Sequence, residues 1–399
     1  MKHLFLTLVA FFTLALHAQE KKVFVEKPGK LASQIKKEES SIRKLTISGN
    51  ELNAKDYEAL KKCVNLESLD ISEVKKVNLG DFYNPFPVLP SVKEIIINDK
   101  GDIERGDDSS YLNGMPDEYK NDFIAFRKIV DNRNYVKNRI IKKIYQIIPN
   151  FEKIVIKNAF QPINFSIDLP SLLSIWFPEL VISEKIRWSV SLPDGAYIIE
   201  KIEKFEDSLP QNYHLLTGLY SITNKYLKYF TNLENAIFIG RQTFMVDLEE
   251  VKIDKITIPK SLRFLDFGSF NLQGSENSTI TIETEESDEP LFICNNGIIF
   301  FGFVEKMEFN RPVYLCDEAF RRCKIGKIFF NKDVEYLGKY SFYSGVEEIH
   351  FKKSPKKMGE ICRGTGSEKI KRAYIPASEQ AKFKAAGATS YFLSIISTK

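Results

Sequence analysis

In the last third of the chain, Glu318-Ala319-Phe320 is answered 22 residues later by Tyr340-Ser341-Phe342, and each triplet leads into a β-rich apolar run. From Phe320 the apolar positions fall at Ile325, Ile328, Phe330, Val334 and Leu337, and from Phe342 they fall at Val346, Ile349, Phe351 and Met358. A fixed period with a bulky aromatic anchor marks a stacked repeat, in which one unit cannot bury its own apolar face and neighbours must cover it. The same anchor stands in Gln242-Thr243-Phe244 and Gly268-Ser269-Phe270. The spacings between anchors are 26, 50 and 22 residues, so the long gap holds two units, with Thr279-Ile280-Thr281-Ile282 as a strand and the acidic loop Glu283 to Glu289 lengthening one of them.

A second rhythm runs through the earlier sequence. Asn65-Leu66-Glu67-Ser68-Leu69-Asp70-Ile71-Ser72 has the Leu-x-x-Leu-x-Leu spacing of a leucine-rich repeat, which points Leu69 and Ile71 inward and Ser68, Asp70 and Ser72 to the open face. It returns at Ser91 to Asn98, Asn150 to Lys157 and Asn232 to Ile239. Asn53 is placed to cap a helix from Ala54 to Cys63, and Lys30 to Glu39 reads as a short polar helix. An insertion at about 115–148 reads as one or two amphipathic helices, with apolar positions Tyr119, Phe123, Phe126, Val130, Val136, Ile140, Ile144 and Ile147. It is basic between Lys120 and Lys143; such a helix either engages a membrane or acidic partner, or packs on the solenoid with a solvated outer face. Leu192 to Tyr229 reads as variable structure on the convex side.

The chain opens with Lys2 and His3, continues as an apolar run from Leu4 to Leu16, and reaches Ala18 before Glu20-Lys21-Lys22. That is the pattern of a secretory signal peptide over residues 1–18, its 13-residue run being shorter than the roughly 20 residues a bilayer requires. The expected location is exported: cell surface, periplasm or extracellular, with no transmembrane span after cleavage. Removing residues 1–18 takes away one lysine and no acid, so the formal charge of +4 becomes +3, a balance that does not steer toward nucleic acid. The odd set of five cysteines does not make a disulfide framework; Cys316 and Cys323 either pair or, with the others, fill the core as small thiols.

The units from Gly240 resemble the BspA-like leucine-rich repeats of Bacteroidetes surface proteins, in Ala319-Phe320, Ser341-Phe342 and Ile256-Thr257-Ile258-Pro259. The start, through Ile42 to Ser72, is similar to the cap region of such proteins, and Ala373-Tyr374-Ile375-Pro376 into Lys382-Phe383 to their final repeat. The resemblance implies an α/β leucine-rich-repeat solenoid with a parallel sheet on the concave face and irregular helical insertions. Its expected parts are an N-terminal cap and first repeat at 19–80, irregular repeats at 81–239, regular repeats at 240–376 and a C-terminal cap at 377–399. It also implies surface binding or adhesion, with no functional residues fixed by the family.

Chemistry is sparse. After signal cleavage only His214 and His350 remain, too little for a histidine metal site or a serine triad, so no catalytic residue, metal or cofactor is expected. The acidic loop Glu283 to Glu289 and the loop Gly101 to Asp108 either hold calcium or are solvated. With 53 acidic residues, the sequence nominates no glycosidase pair. Alternation places Trp176, Phe329 and His350 on an open sheet face, His350 beside Glu348 and Lys352; a one-residue slip of register returns the aromatics to the core. The expected function is an exported or surface protein that binds a protein or glycan through its sheet face and loops. The alternatives are a glycan-active enzyme with its site in the irregular middle, and a structural envelope component.

Overall fold

The computed structural model describes residues 19–77, 86–98, 112–136, 141–159, 172–176, 186–191, 194–201, 213–216, 233–275, 277–320, 322–362 and 370–398. The signal segment, the Gly101 to Asp108 loop and most of Leu192 to Tyr229 lie outside these residues. Contacts divide the chain into two units: one of residues 1–103, 131–163 and 185–203, the other of residues 104–130, 164–184 and 204–399.

In the first unit, strands Gln19–Val25, Ile42–Glu51, Ser68–Lys76, Glu94–Asn98 and Lys153–Lys157 pair in parallel, each with the next. Leu45, Ile47, Leu69, Ile95, Ile97, Ile154 and Ile156 are all buried, as alternation requires of one face. Ser72, expected on the open face, is instead buried, because the pairing slips between Thr46 and Ser48 and a bulge turns the strand there. Helix Ala54–Lys61 is closed by the expected cap. Asn53 Oδ1 accepts from the Lys55 amide at 3.0 Å, while the fully buried Asp56 carboxylate accepts from the amides of Asn53, Gly29 and Leu31 at 3.0, 2.7 and 2.9 Å. That one carboxylate satisfies donors at the starts of two helices. Ala196–Lys201, within the stretch expected to be convex and irregular, is a strand of the sheet: it lies antiparallel to Lys153–Lys157 and to Ile186–Ser191.

In the second unit the turns run along three sides, the second of them present in three turns, where one sheet was expected. The first side carries Phe238–Ile239, Phe264–Leu265, Leu291–Ile293, Val313–Leu315 and Val334–Leu337, all parallel. The second carries Phe244–Asp247, Phe270–Gln273 and Ile298–Phe301. The third carries Lys255–Ile258, Thr279–Thr284, Phe303–Phe309, Lys324–Phe330, Val346–Phe351, Ile370–Pro376 and Phe392–Thr398.

The aromatic anchors sit at the corner between the first and second sides. Phe270 pairs in register with Ile298, so Asn296-Gly297-Ile298 is the unit hidden in the 50-residue gap. Every anchor is preceded by two by a residue with left-handed backbone: Gln242 at φ 48°, Gly268 at 61°, Asn296 at 49°, Glu318 at 59° and Tyr340 at 56°. The sharp corner this makes lets each turn bond to the next: the amides of Gly268, Asn296 and Glu318 donate to the carbonyls of Asn296, Glu318 and Lys339 at 2.8, 2.9 and 2.8 Å. The residue between is small and buried at each corner: Thr243, Ser269, Gly297, Ala319 and Ser341. There is little room for more, since a Cβ at Gly297 would lie 2.8 Å from Ile293 Cγ2. The anchors then stack, Phe244 on Phe270 at 5.5 Å and Phe320 on Phe342 at 5.9 Å. Burying each such ring stabilises the unit by about 1.5–3 kcal/mol.

Arg311 is buried too. Its guanidinium donates to the carbonyls of Glu289 at 2.8 Å, Pro259 at 3.1 Å, Leu262 at 2.9 Å and Pro290 at 3.4 Å, tying three successive turns. Burial, followed by the nearby Arg263 charge, lowers its pKa to about 10. The five cysteines are free and buried, which places Cys316 and Cys323 in the core unpaired. Burial pushes the Cys323 thiol up to about 12, so it has almost no thiolate at neutral pH.

Candidate functional site

Two outward-facing rows of aromatics run across the turns of the second unit, and they meet different fates. On the first side, Phe264 stacks on Phe292 at 5.2 Å and Phe292 on Tyr314 at 4.6 Å. The inserted helix Asp117–Val136 covers this row. Phe123 packs edge-on to Phe238 and Phe264 at 5.4 and 5.9 Å, Phe126 packs on the same pair at 5.8 and 5.9 Å, and Tyr119 lies on Phe292 at 4.7 Å. Arg127 comes within 3.5 Å of the buried Asp266 carboxylate, which Arg241 approaches at 3.7 Å. At Gly114 the chain passes so close to Tyr336 that a Cβ would sit 2.2 Å from the ring. Tyr119, Phe123 and Phe126 of the insertion are therefore spent on this row, and the first side is not an open sheet face there.

On the third side the alternation is clean. Ile256, Ile282, Met307, Ile328, Ile349 and Ala373 form one inward row. Phe309, Phe330 and Phe351 form another, stacked at 5.3 Å between neighbours. Between these rows the side chains point outward, in the register Thr257, Glu283, Glu308, Phe329, His350, Tyr374. In-register parallel strands repeat at about 4.8 Å, so planar side chains in one row stack face to face. Phe329 and His350 lie 4.4 Å apart at 16°, and His350 and Tyr374 lie 4.2 Å apart at 3°. Lys306 caps the open face of Phe329 at 5.4 Å.

A charged row runs beside the rings. Glu348 is the hub: Arg372 donates to one carboxylate oxygen, and His350 Nε2 and Lys327 Nζ stand 3.3 and 3.8 Å from the other. Burial raises the Glu348 pKa, but hydrogen bonds from Arg372 and His350 and the charge of Lys327 outweigh it and leave the carboxyl below the usual range. For His350 burial is the larger effect and lowers the pKa, against the pull of Glu348. At neutral pH the row thus presents a neutral imidazole, an ionised carboxylate and two cations beside a strip of ring edges.

Of the three residues expected on an open face, Phe329 and His350 come together on this strip. Trp176 ends the strand Leu172–Trp176 on the first side, and its side chain is outside those described. Tyr374 is the member that inspection of the sequence missed, although its setting between buried Ala373 and Ile375 is the same alternation. Lys352 is exposed in the turn after the strand. His214 has a pKa lowered chiefly by burial and stands apart from the strip, on strand Tyr213–Leu216 of the first side. The acidic loop is met by cations: Lys332 pairs with Glu286 at 3.2 Å and Asp288 at 3.5 Å, Lys255 with Glu283 at 2.6 Å and Arg263 with Glu289 at 2.7 Å. Among the described residues no group of three or more His, Cys, Asp or Glu side chains is arranged to hold a metal ion.

The family model for the BspA type leucine rich repeat region matches the chain in six copies, over residues 217–344 and 299–384. Residues 217–384 are BspA-type leucine-rich repeats. No curated protein and no solved structure matches the chain. BspA-type repeats are often surface-associated, and leucine-rich repeats in general are a non-enzymatic scaffold for protein interaction, using the extended surface that stacking creates. Among the described residues, no helix is long and apolar enough to cross a membrane.

Proposed function

We propose that the protein is an exported, surface-associated binding protein that engages a protein partner through the outer face of the third side. The observation that carries this is the strip Phe329, His350 and Tyr374, half-buried with its edges in solvent and flanked by Lys327, Glu348 and Arg372. Aromatic and arginine side chains held rigid in this way suit a protein interface. The stacking also favours protein over glycan: a sugar packs on an aromatic face, and here both faces of His350 and one face each of Phe329 and Tyr374 are taken up within the row, with Lys306 on the other face of Phe329. Export rests on the signal-like segment at 1–18.

The test is surface plasmon resonance of residues 19–399 against panels of extracellular matrix proteins and glycans, repeated with Tyr374→Ala and Lys327→Glu. A protein ligand whose affinity falls at least about tenfold in both variants, roughly the loss of one hot-spot side chain, supports the assignment. A ligand that binds both variants as well as the parent would place the interface elsewhere. Mass spectrometry of the full chain expressed in a Gram-negative host reads the export step as loss of residues 1–18.

A further inference from the structure

The turns of the second unit change length part-way along. Phe238, Phe264 and Phe292 are 26 and 28 residues apart, while Phe292, Tyr314 and Tyr336 follow at 22. The second side ends one turn after the shortening begins: the turn from Phe292 still carries Ile298–Phe301, the last strand of the second-side sheet, whereas the turn from Tyr314 goes from Phe320 to the third-side strand Lys324–Phe330 without one. The step leaves an open groove of about 670 Å³ lined by Phe300, Phe301, Phe303, Arg322, Lys324 and Ser344.

Two features of this groove bear on what it can hold. Phe301 is 48% exposed, yet the positions in register with it one and two turns earlier are Gln273 and Asp247. An aromatic ring thus stands in solvent where the repeat otherwise places a polar group. Arg322 and Lys324 are both exposed and form no ion pair among the described residues, whereas Lys327, Lys332, Lys353, Lys356, Lys371 and Arg372 are each matched to a carboxylate. Among the described residues no carboxylate and no side-chain amide lines the groove.

We propose that this groove binds an acidic peptide segment of a partner protein, seating an apolar side chain against Phe300, Phe301 and Phe303 while flanking carboxylates pair with Arg322 and Lys324. The two unmatched cations set the charge of the ligand. The phenylalanine floor sets its apolar element, and the volume is that of an ordinary ligand pocket. The lack of carboxylate and amide acceptors selects a peptide over an acidic sugar, whose hydroxyls would go unpaired.

The experiment is selection of a random nonapeptide phage library on the full chain, followed by fluorescence anisotropy with the enriched peptides. The parent is compared with Arg322→Glu/Lys324→Glu, Phe301→Asp and, as a control at an exposed position of the first unit, Val64→Ser. All the groove substitutions are at exposed positions, and circular dichroism melts matching the parent exclude misfolding; Lys324→Ala alone replaces the double variant if that one fails to fold. The expected result is enrichment of peptides with aromatic or aliphatic residues next to Asp or Glu, at least tenfold weaker binding in the groove variants, no change in Val64→Ser, and affinity that falls with salt. Absence of enrichment over the double variant overturns the proposal, as do enriched peptides lacking carboxylates. So does binding of a glucuronate oligosaccharide that is lost in the same groove variants.

Discussion

The first and third sides of the second unit are built from the same device, an outward row of stacked aromatics repeated turn after turn, and only one is covered. Phe238, Phe264 and Phe292 meet Phe123, Phe126 and Tyr119 of the inserted helix and are part of the core. Phe329, His350 and Tyr374 meet only each other and a rim of charge. A stacked row is therefore not in itself a binding surface. What decides its role is whether the chain supplies a lid, and the lid here comes from far away in sequence.

The largest effect that separates the two rows is expected from Phe123→Ala. Opening a void between helix and row costs about 3–5 kcal/mol, read as a lower urea midpoint. A loss below about 1 kcal/mol would show that the helix does not hold the row. Next comes Arg311→Met, which leaves the buried carbonyls of Pro259 and Leu262 short of a donor, those of Glu289 and Pro290 being within reach of water; at about 1–3 kcal/mol for each buried unsatisfied group, a total near 3 kcal/mol is expected. On the exposed row the losses are smaller. Tyr374→Ala costs about 0.5–1.5 kcal/mol, the worth of an aromatic pair, and a loss as large as that of Phe123→Ala would mean that the row is structural after all.

Acid should act on the exposed row, as it does on His214, whose pKa burial also lowers. The fold prefers neutral His350, whose pKa is lowered, so its contribution is full above the free imidazole value of about 6.5 and is lost as pH falls toward the depressed folded value. Glu348, also lowered, contributes above the free carboxyl value, about 4.3, and loses that contribution as pH falls through its folded value. Melting temperature measured from pH 8 to pH 5 should fall toward acid, and less steeply in His350→Phe. An unchanged slope in the variant would remove His350 from the account. The smallest effect is a gain: Gln242→Gly relieves a left-handed backbone that Gly268 adopts freely, raising stability by at most about 1 kcal/mol, since the glycine also loosens the unfolded chain.

Much of this was legible in the sequence because a repeat writes its architecture many times over. The spacing of Phe244, Phe270, Phe320 and Phe342 gave the turns, and the 50-residue gap gave the missing one, though Ile298 could not be recognised without an aromatic ring. Alternation around Ile328 and Phe330, and around Ile349 and Phe351, put Phe329 and His350 outward. Three sides were hidden because the first-side strands are as short as Phe238–Ile239, and two residues carry no period. That His350 stacks on both Phe329 and Tyr374 depends on cross-strand register, and the lid over the first side on a contact between positions more than a hundred residues apart; neither leaves a mark on local sequence.

Arg311 bears on how such a chain is able to change over generations. Solenoids lengthen and shorten by copying or deleting a turn, which is harmless while each turn touches only its neighbours. One guanidinium holding carbonyls at Pro259, Leu262, Glu289 and Pro290 breaks that independence, because a turn gained or lost between residues 259 and 311 separates the arginine from its acceptors. A change of turn number within this stretch therefore breaks the arginine's bonds, whereas one outside it leaves them intact.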